Sequence, residues 1–133
     1  MSKLKHAELT EQILRCAFEV HSCLGTGFLE KVYENALYWE LQKCGLSVEQ
    51  QKPITVFYKG QIVGEYIVDL IIEDKVLVEL KAVEKTVDAH EVQLKNYLQS
   101  TNIEIGLLLN FGNSVQVRRK FVENRSREIP RSS

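Results

Sequence analysis

The chain has 133 residues, 44% of them hydrophobic and 26% charged, with a formal net charge of −1. That length is expected of one domain, with enough apolar material for a core that needs no staples. The near-zero charge excludes a global field that would gather nucleic acid, so any such role must rest on local patches. One patch stands near the end, where Arg118, Arg119, Lys120, Arg125, Arg127 and Arg131 are opposed only by Glu123 and Glu128. It reads either as a basic contact surface or as a solvated tail. The three cysteines, Cys16, Cys23 and Cys44, are odd in number and form no CxxC spacing. Zinc ribbons and disulfide frameworks are therefore unsupported, and a reducing, cytoplasmic setting is expected. Cys16 and Cys23 lie seven apart in a helical pattern and read as small buried hydrophobes. No secretory leader is expected from the polar start Met1-Ser2-Lys3-Leu4-Lys5-His6, and no apolar run reaches the length of a membrane span.

In chain order, residues 10–24 read as an amphipathic helix with Thr10 as its N-cap. Its apolar residues are Ile13, Leu14, Ala17, Phe18 and Leu24. Gly25-Thr26-Gly27 interrupts it as a tight joint. A second helix follows over about 28–44, with Leu29, Val32, Tyr33, Ala36, Leu37 and Leu41 as its stripe and Gly45 as its C-terminal stop. The pattern then turns to strands. Ile54-Thr55-Val56-Phe57-Tyr58 is rich in β-formers, and Lys59-Gly60-Gln61 is a hairpin turn. A long strand over 62–72, a polar break at Glu73-Asp74-Lys75 and a strand from Val76 to about Ala82 follow. Residues 87–99 return to helical spacing, with Val92, Leu94, Tyr97 and Leu98 apolar. Ile105-Gly106-Leu107-Leu108-Leu109 is the continuous run of a strand buried on both faces. Val115 to Phe121 is a last strand at an edge. The predicted order is α-α-β-β-β-α-β-β, within one domain over 1–123, and residues 124–133 are expected to form a flexible basic tail.

Two strands carry charges that need a reason. Asp69 stands within Ile67-Val68-Asp69-Leu70-Ile71-Ile72, and Glu79 and Lys81 within Val76-Leu77-Val78-Glu79-Leu80-Lys81-Ala82. An uncompensated charge in an apolar strand is costly, so each needs a partner or a cation. If Glu73-Asp74-Lys75 is a three-residue loop, Ile72 pairs with Val76 and Asp69 falls opposite Glu79 on one face. Facing carboxylates repel unless they share a proton or hold a cation. Hard oxygen ligands suit Mg²⁺ or Mn²⁺. Lys81, two residues from Glu79 on the same face, could place a water or offset phosphate charge. The competing reading is a cross-strand salt bridge, with Lys81 neutralising Glu79.

With these residues in hand, the chain resembles a known group. Asp69, nine residues, then Glu79-Leu80-Lys81 resembles the PD-(D/E)XK nuclease signature. Gly27-Phe28-Leu29-Glu30-Lys31-Val32-Tyr33 resembles the motif that names the GxxExxY family, small proteins of that superfamily. Gln93-Leu94-Lys95-Asn96-Tyr97 is similar to the QxxxY helix motif of RecB-like nucleases, and Leu107 to Gly112 is similar to the family's C-terminal strand. Val68 departs from the usual proline before the aspartate. The resemblance implies an α+β fold with a mixed central sheet flanked by helices. It implies a hydrolase that cuts phosphodiester bonds in nucleic acid, with DNA favoured over RNA and both left open, using Mg²⁺ or Mn²⁺. Glu30, Asp69, Glu79, Lys81 and Gln93 are the implied catalytic set. Asp69, Glu79 and the Leu80 backbone carbonyl are the implied metal ligands, with Glu30 as a further candidate. Lys81 would assist the nucleophile, and Gln93 would orient substrate or a metal-bound water.

Alternatives stay open at several of these positions. Glu30 could instead pair with Lys31 or Lys43 on the helix surface. His21, Tyr33 and Tyr97 are placed around the pocket, where His21 could equally be a satisfied core histidine and Tyr97 is favoured to pack. His90 is expected to be exposed. The small size and weak charge suggest that a homodimer or a partner completes the binding surface. The rival functions are a non-catalytic nucleic-acid- or protein-binding module on the same fold, and an assembly protein whose charges form salt bridges.

Overall fold

A computed structural model describes residues 5–123. The elements run α1 (Ala7–Leu24), α2 (Glu30–Lys43), β1 (Val48–Tyr58), β2 (Gln61–Ile72), β3 (Val76–Lys81), α3 (Asp88–Gln99), β4 (Ile105–Phe111) and β5 (Val115–Phe121). The strands lie side by side in chain order as one five-stranded sheet. All neighbours are antiparallel except β3 and β4, which are parallel and joined through α3. This is the expected α+β fold and element order.

The sheet has a core on each face because side chains alternate along a strand. Leu70, Ile72, Val76, Val78, Leu80, Leu107 and Leu109 pack with Ile13, Ala17, Tyr33, Leu37 and Leu41 of α1 and α2. Ile71, Leu77 and Leu108 pack with Leu94, Tyr97 and Leu98 of α3. Each fully buried leucine stabilises the fold by roughly 1.5–3 kcal/mol. β4 is buried throughout, as its unbroken apolar run predicts.

Several turns follow the expected chemistry. α2 ends in a Schellman motif: the Leu46 N–H donates to Leu41 O (3.2 Å) and the Gly45 N–H to Gln42 O (2.9 Å), with Gly45 at φ 86°. The first hairpin turn is Lys59-Gly60 alone, since Gln61, expected in the turn, opens β2 by pairing with Tyr58. Ile72 pairs with Val76 across the three-residue loop Glu73-Asp74-Lys75.

Other expectations are corrected. α1 begins at Ala7 with His6 at the N-cap, and Thr10 is buried inside the first turn, its hydroxyl donating to Ala7 O at 3.0 Å. The buried face of α1 is Ile13, Cys16, Ala17 and Val20, which leaves Phe18 exposed. Leu29, Val32 and Val92 are likewise exposed. Cys23 is exposed too, its thiol donating to Glu19 (3.4 Å), whereas Cys16 is buried as expected. β1 starts six residues before Ile54, at Val48, because Val48, Glu49, Gln50 and Lys52 pair with Ile72, Ile71, Leu70 and Val68. His90 is half-buried, and its Nδ1 accepts the Val87 N–H at the start of α3 (3.2 Å). The expected tail over 124–133 lies outside the described residues.

Candidate active site

The β2–β3 ladder stops at Leu70–Val78. One step further on, the two carboxylates replace it. The Asp69 N–H donates to Glu79 Oε2 (2.8 Å), and the Leu80 N–H donates to Asp69 Oδ2 (2.9 Å). Each acid therefore binds a backbone group of the opposite strand, and the strands are held apart with both acids in the gap. On its other edge β3 stays paired with β4 through Glu79–Leu108, Leu80–Leu109 and Lys81–Asn110. The gap thus opens on one side of a strand that is rigidly held on the other.

Glu79 is 7% exposed, so burial first, and then the Asp69 charge, pushes its carboxyl up to about 8. The Asp69 N–H and the Lys81 ammonium pull it back only in part. Burial also holds the Asp69 carboxyl above its ordinary value against the Leu80 N–H, with Glu34 and Glu30 adding to the rise. One buried and one half-buried carboxyl that both resist ionisation form a site short of positive charge. No direct ion pair joins Lys81 to Glu79: Glu79 Oε2 accepts the Asp69 N–H, and Lys81 acts on Glu79 only through its charge.

Glu30 opens α2, half-buried, and its charge is felt at both Asp69 and Glu79. The surface pairs expected as its alternative do not form: Lys31 turns to Glu34 (3.2 Å), and the Lys43 ammonium lies over the Trp39 ring (5.1 Å). Lys81, half-buried, ends β3. Gln93 is exposed on α3, one turn from Tyr97, and no contact ties it to the acids. Tyr97 is 4% exposed and packs on Tyr66 at 4.9 Å. Burial, then the Glu79 and Asp69 charges, pushes its hydroxyl up to about 12, so it lies near both acids while it packs.

The other two pocket candidates support the joint between the helices. Tyr33 is fully buried, stacks on Phe111 at 4.7 Å, donates its hydroxyl to Gly25 O (2.6 Å) and accepts the Phe28 N–H (3.3 Å). His21 Nε2 bonds Gly112 O (2.8 Å). Gly112 lines a cleft of about 420 Å³ together with Phe28, Leu29, Ala82 and Val83. Leu29 precedes Glu30 and Ala82 follows Lys81, so the cleft borders the acids' neighbourhood.

Three residues that the sequence did not single out are tied to this region. Glu34 is 2% exposed and takes bonds from Lys31, Gln50 (2.7 Å) and Gln51 (2.9 Å). Gln51 Nε2 also donates to Asp69 Oδ1 at 3.2 Å. Asn110, 1% exposed, bonds both backbone groups of Val83 and so fixes the chain just after Lys81. A polar residue inside an apolar strand run is a readable signal for Asn110. A glutamate on a helix and a glutamine in a strand carry no such signal.

Among the described residues, no group of three or more His, Cys, Asp or Glu side chains is placed to hold a metal ion. A cation here would take two side-chain carboxylates plus backbone and water, a set that Mg²⁺, which keeps several waters, accepts. The like-charged, proton-hungry pair fits such a group. No helix among the described residues is long and apolar enough to cross a membrane. A family model described as the PD-(D/E)XK nuclease superfamily matches residues 7–121. No curated protein and no solved structure shows detectable similarity to the chain.

Proposed function

The chain belongs to the PD-(D/E)XK nuclease superfamily, and on that premise we propose that it is a Mg²⁺- or Mn²⁺-dependent nuclease that hydrolyses phosphodiester bonds, in DNA rather than RNA. Within the superfamily, Gly27, Glu30 and Tyr33 favour the GxxExxY group. The observation that carries the reading is the interlock of Asp69, half-buried, and Glu79, buried, in a strand gap where both are raised in proton affinity. Repulsion between them disfavours the empty, ionised state, and a divalent cation relieves it.

Asp69 and Glu79 would hold the cation with the Leu80 carbonyl, and Glu30, whose charge is felt at both acids, is a further candidate. The Leu80 carbonyl suits this role because, in an antiparallel pair, a residue's N–H and C=O lie on the same strand edge. That edge faces Asp69, as the Leu80 N–H does. A bound divalent metal supplies a water of lowered pKa and offsets charge on the scissile phosphate. Lys81, one residue beyond Leu80, would orient that water and stabilise the developing negative charge. Gln93 would contact substrate from the exposed side of α3. His21 and Tyr33 would act at one remove, by shaping the Gly112 wall and the Gly25–Phe28 joint. A second copy of the chain would extend the binding surface, and sedimentation that shows only monomer at all concentrations counts against it.

Labelled single- and double-stranded DNA and RNA, incubated with Mg²⁺ or Mn²⁺, test the proposal. Cleavage of DNA that requires the metal and disappears in Asp69→Ala and Glu79→Ala is the expected result. Metal-dependent cleavage that survives Asp69→Ala removes the assignment.

A further inference from the structure

Gln51 belongs to none of the motifs above, yet the backbone departs from strand geometry to place it. The β1–β2 ladder pairs Gln50 with Leu70 and Lys52 with Val68 but leaves Gln51 and Asp69 without a backbone pairing. Gln51 has φ 54°, and among the described residues it is the one non-glycine position inside a strand with a left-handed backbone. Such a conformation costs free energy and persists only where its surroundings over-determine it.

What this backbone brings about is a bridge. Gln51 Nε2 donates to Asp69 Oδ1 (3.2 Å) and to Glu34 Oε2 (2.9 Å). Glu34 is itself immobilised, being 2% exposed and bonded by Lys31 and Gln50. The Leu80 N–H holds the other Asp69 oxygen. Both oxygens of Asp69 are therefore fixed, one by β3 and one by an amide anchored to a buried glutamate of α2. Each carboxylate oxygen has two lone-pair directions, so one direction on Oδ1 stays available beside the Gln51 bond.

We propose that Gln51 is a positioning residue, which sets the rotation of the Asp69 carboxylate and so aims its remaining lone pairs at a divalent cation, with Glu34 as its anchor. The inference rests on the metal-dependent reading above. A bond that served only to hold β1 to β2 would need no such device, because the ordinary ladder supplies it on either side of Gln51. Hydrogen bonds that orient a metal-binding carboxylate are worth about 10- to 100-fold in metal affinity.

Calorimetric titration of the full chain with Mn²⁺, with thermal unfolding recorded alongside, tests the inference through Gln51→Gly and Gln51→Leu. Glycine relieves the left-handed backbone and removes the amide. Gln51→Gly is expected to unfold no earlier than the wild type and yet to bind Mn²⁺ about 10- to 100-fold more weakly. Gln51→Leu is expected to lose affinity to the same extent and to unfold earlier. If both variants bind Mn²⁺ as tightly as the wild type, or if affinity falls only where the unfolding temperature falls, Gln51 has no positioning role. A wild type that binds no Mn²⁺, or whose binding survives Glu79→Ala, overturns the metal reading and this inference together.

Discussion

Asn110 shows how one residue can define where a strand ends. The Val83 N–H donates to its Oδ1 and its Nδ2 donates to Val83 O, both at 3.0 Å, and the backbone of Asn110 pairs with Lys81. The side chain therefore completes the backbone bonding of the residue two beyond Lys81. Asn110→Ala would leave two backbone groups without these partners, and an unsatisfied buried polar group costs about 1–3 kcal/mol. The expected outcome is a loss of at least about 1 kcal/mol in urea unfolding; a change within ~0.5 kcal/mol would mean that water replaces the amide. Residues of this kind divide by how visible they are in sequence. Asp69, Glu79 and Lys81 were legible because each is a charge in an apolar strand. Glu34 and Gln51 were not. Their link to Asp69 depends on a left-handed φ at Gln51 and on β1 starting at Val48, and neither follows from residue types or spacing. Glu30 and Glu34 lie one turn apart on α2, and the motif pointed to Glu30, whereas the buried, fully bonded carboxylate is Glu34.

Elements were legible in order and type, and less so in phase. The polar loop of three residues between β2 and β3 was enough to place Asp69 opposite Glu79, because strand register passes unchanged along a hairpin. The helices were harder, since an apolar residue on a helix does not say which neighbour covers it. Phe18, Leu29 and Val92 are exposed because the sheet covers faces defined by Val20, Tyr33 and Tyr97 instead. The packing of α3 on β4 also explains the glycine in an otherwise large-residue strand. A Cβ at Gly106 would stand 2.9 Å from Leu94 Cδ1 and 3.1 Å from Leu98 Cδ1. Leu94 Cγ lies at 3.1 Å as well, and both leucines are fully buried. Gly106→Ala should therefore overpack the interface and destabilise the protein by about 1–3 kcal/mol. Thermal unfolding measures it, and an unchanged midpoint would mean that α3 rides on β4 more loosely than the contact distances imply. A shift of α3 would carry Gln93 and Tyr97 with it, so weaker cleavage should accompany the loss of stability.

Over the whole molecule, the site stores instability that pH exposes and that, on the proposed reading, a cation would release. In the metal-free protein Glu79 is raised from 4.5 to about 8 and Asp69 is also raised. Between these values the folded state holds protons that the unfolded chain has already given up. Stability is therefore fully present below about pH 4.5 and is lost as pH rises through about 8. His6 acts in the opposite sense, since its lowered value costs stability as pH falls below the ordinary histidine range. A comparison of wild type with Glu79→Gln subtracts that contribution. In chelator, the unfolding midpoint of the wild type should fall relative to Glu79→Gln as pH is raised from about 5 to about 8. On the proposed metal-dependent reading a cation would reverse the trend, because it can bind only when the proton leaves. With saturating Mn²⁺ the wild type should gain more stabilisation at pH 8 than at pH 6, while Glu79→Gln should gain little at either. Parallel pH profiles for the two proteins in chelator would show that Glu79 ionises normally in the fold. The strand gap would then hold its two acids without the strain on which the proposed metal binding depends.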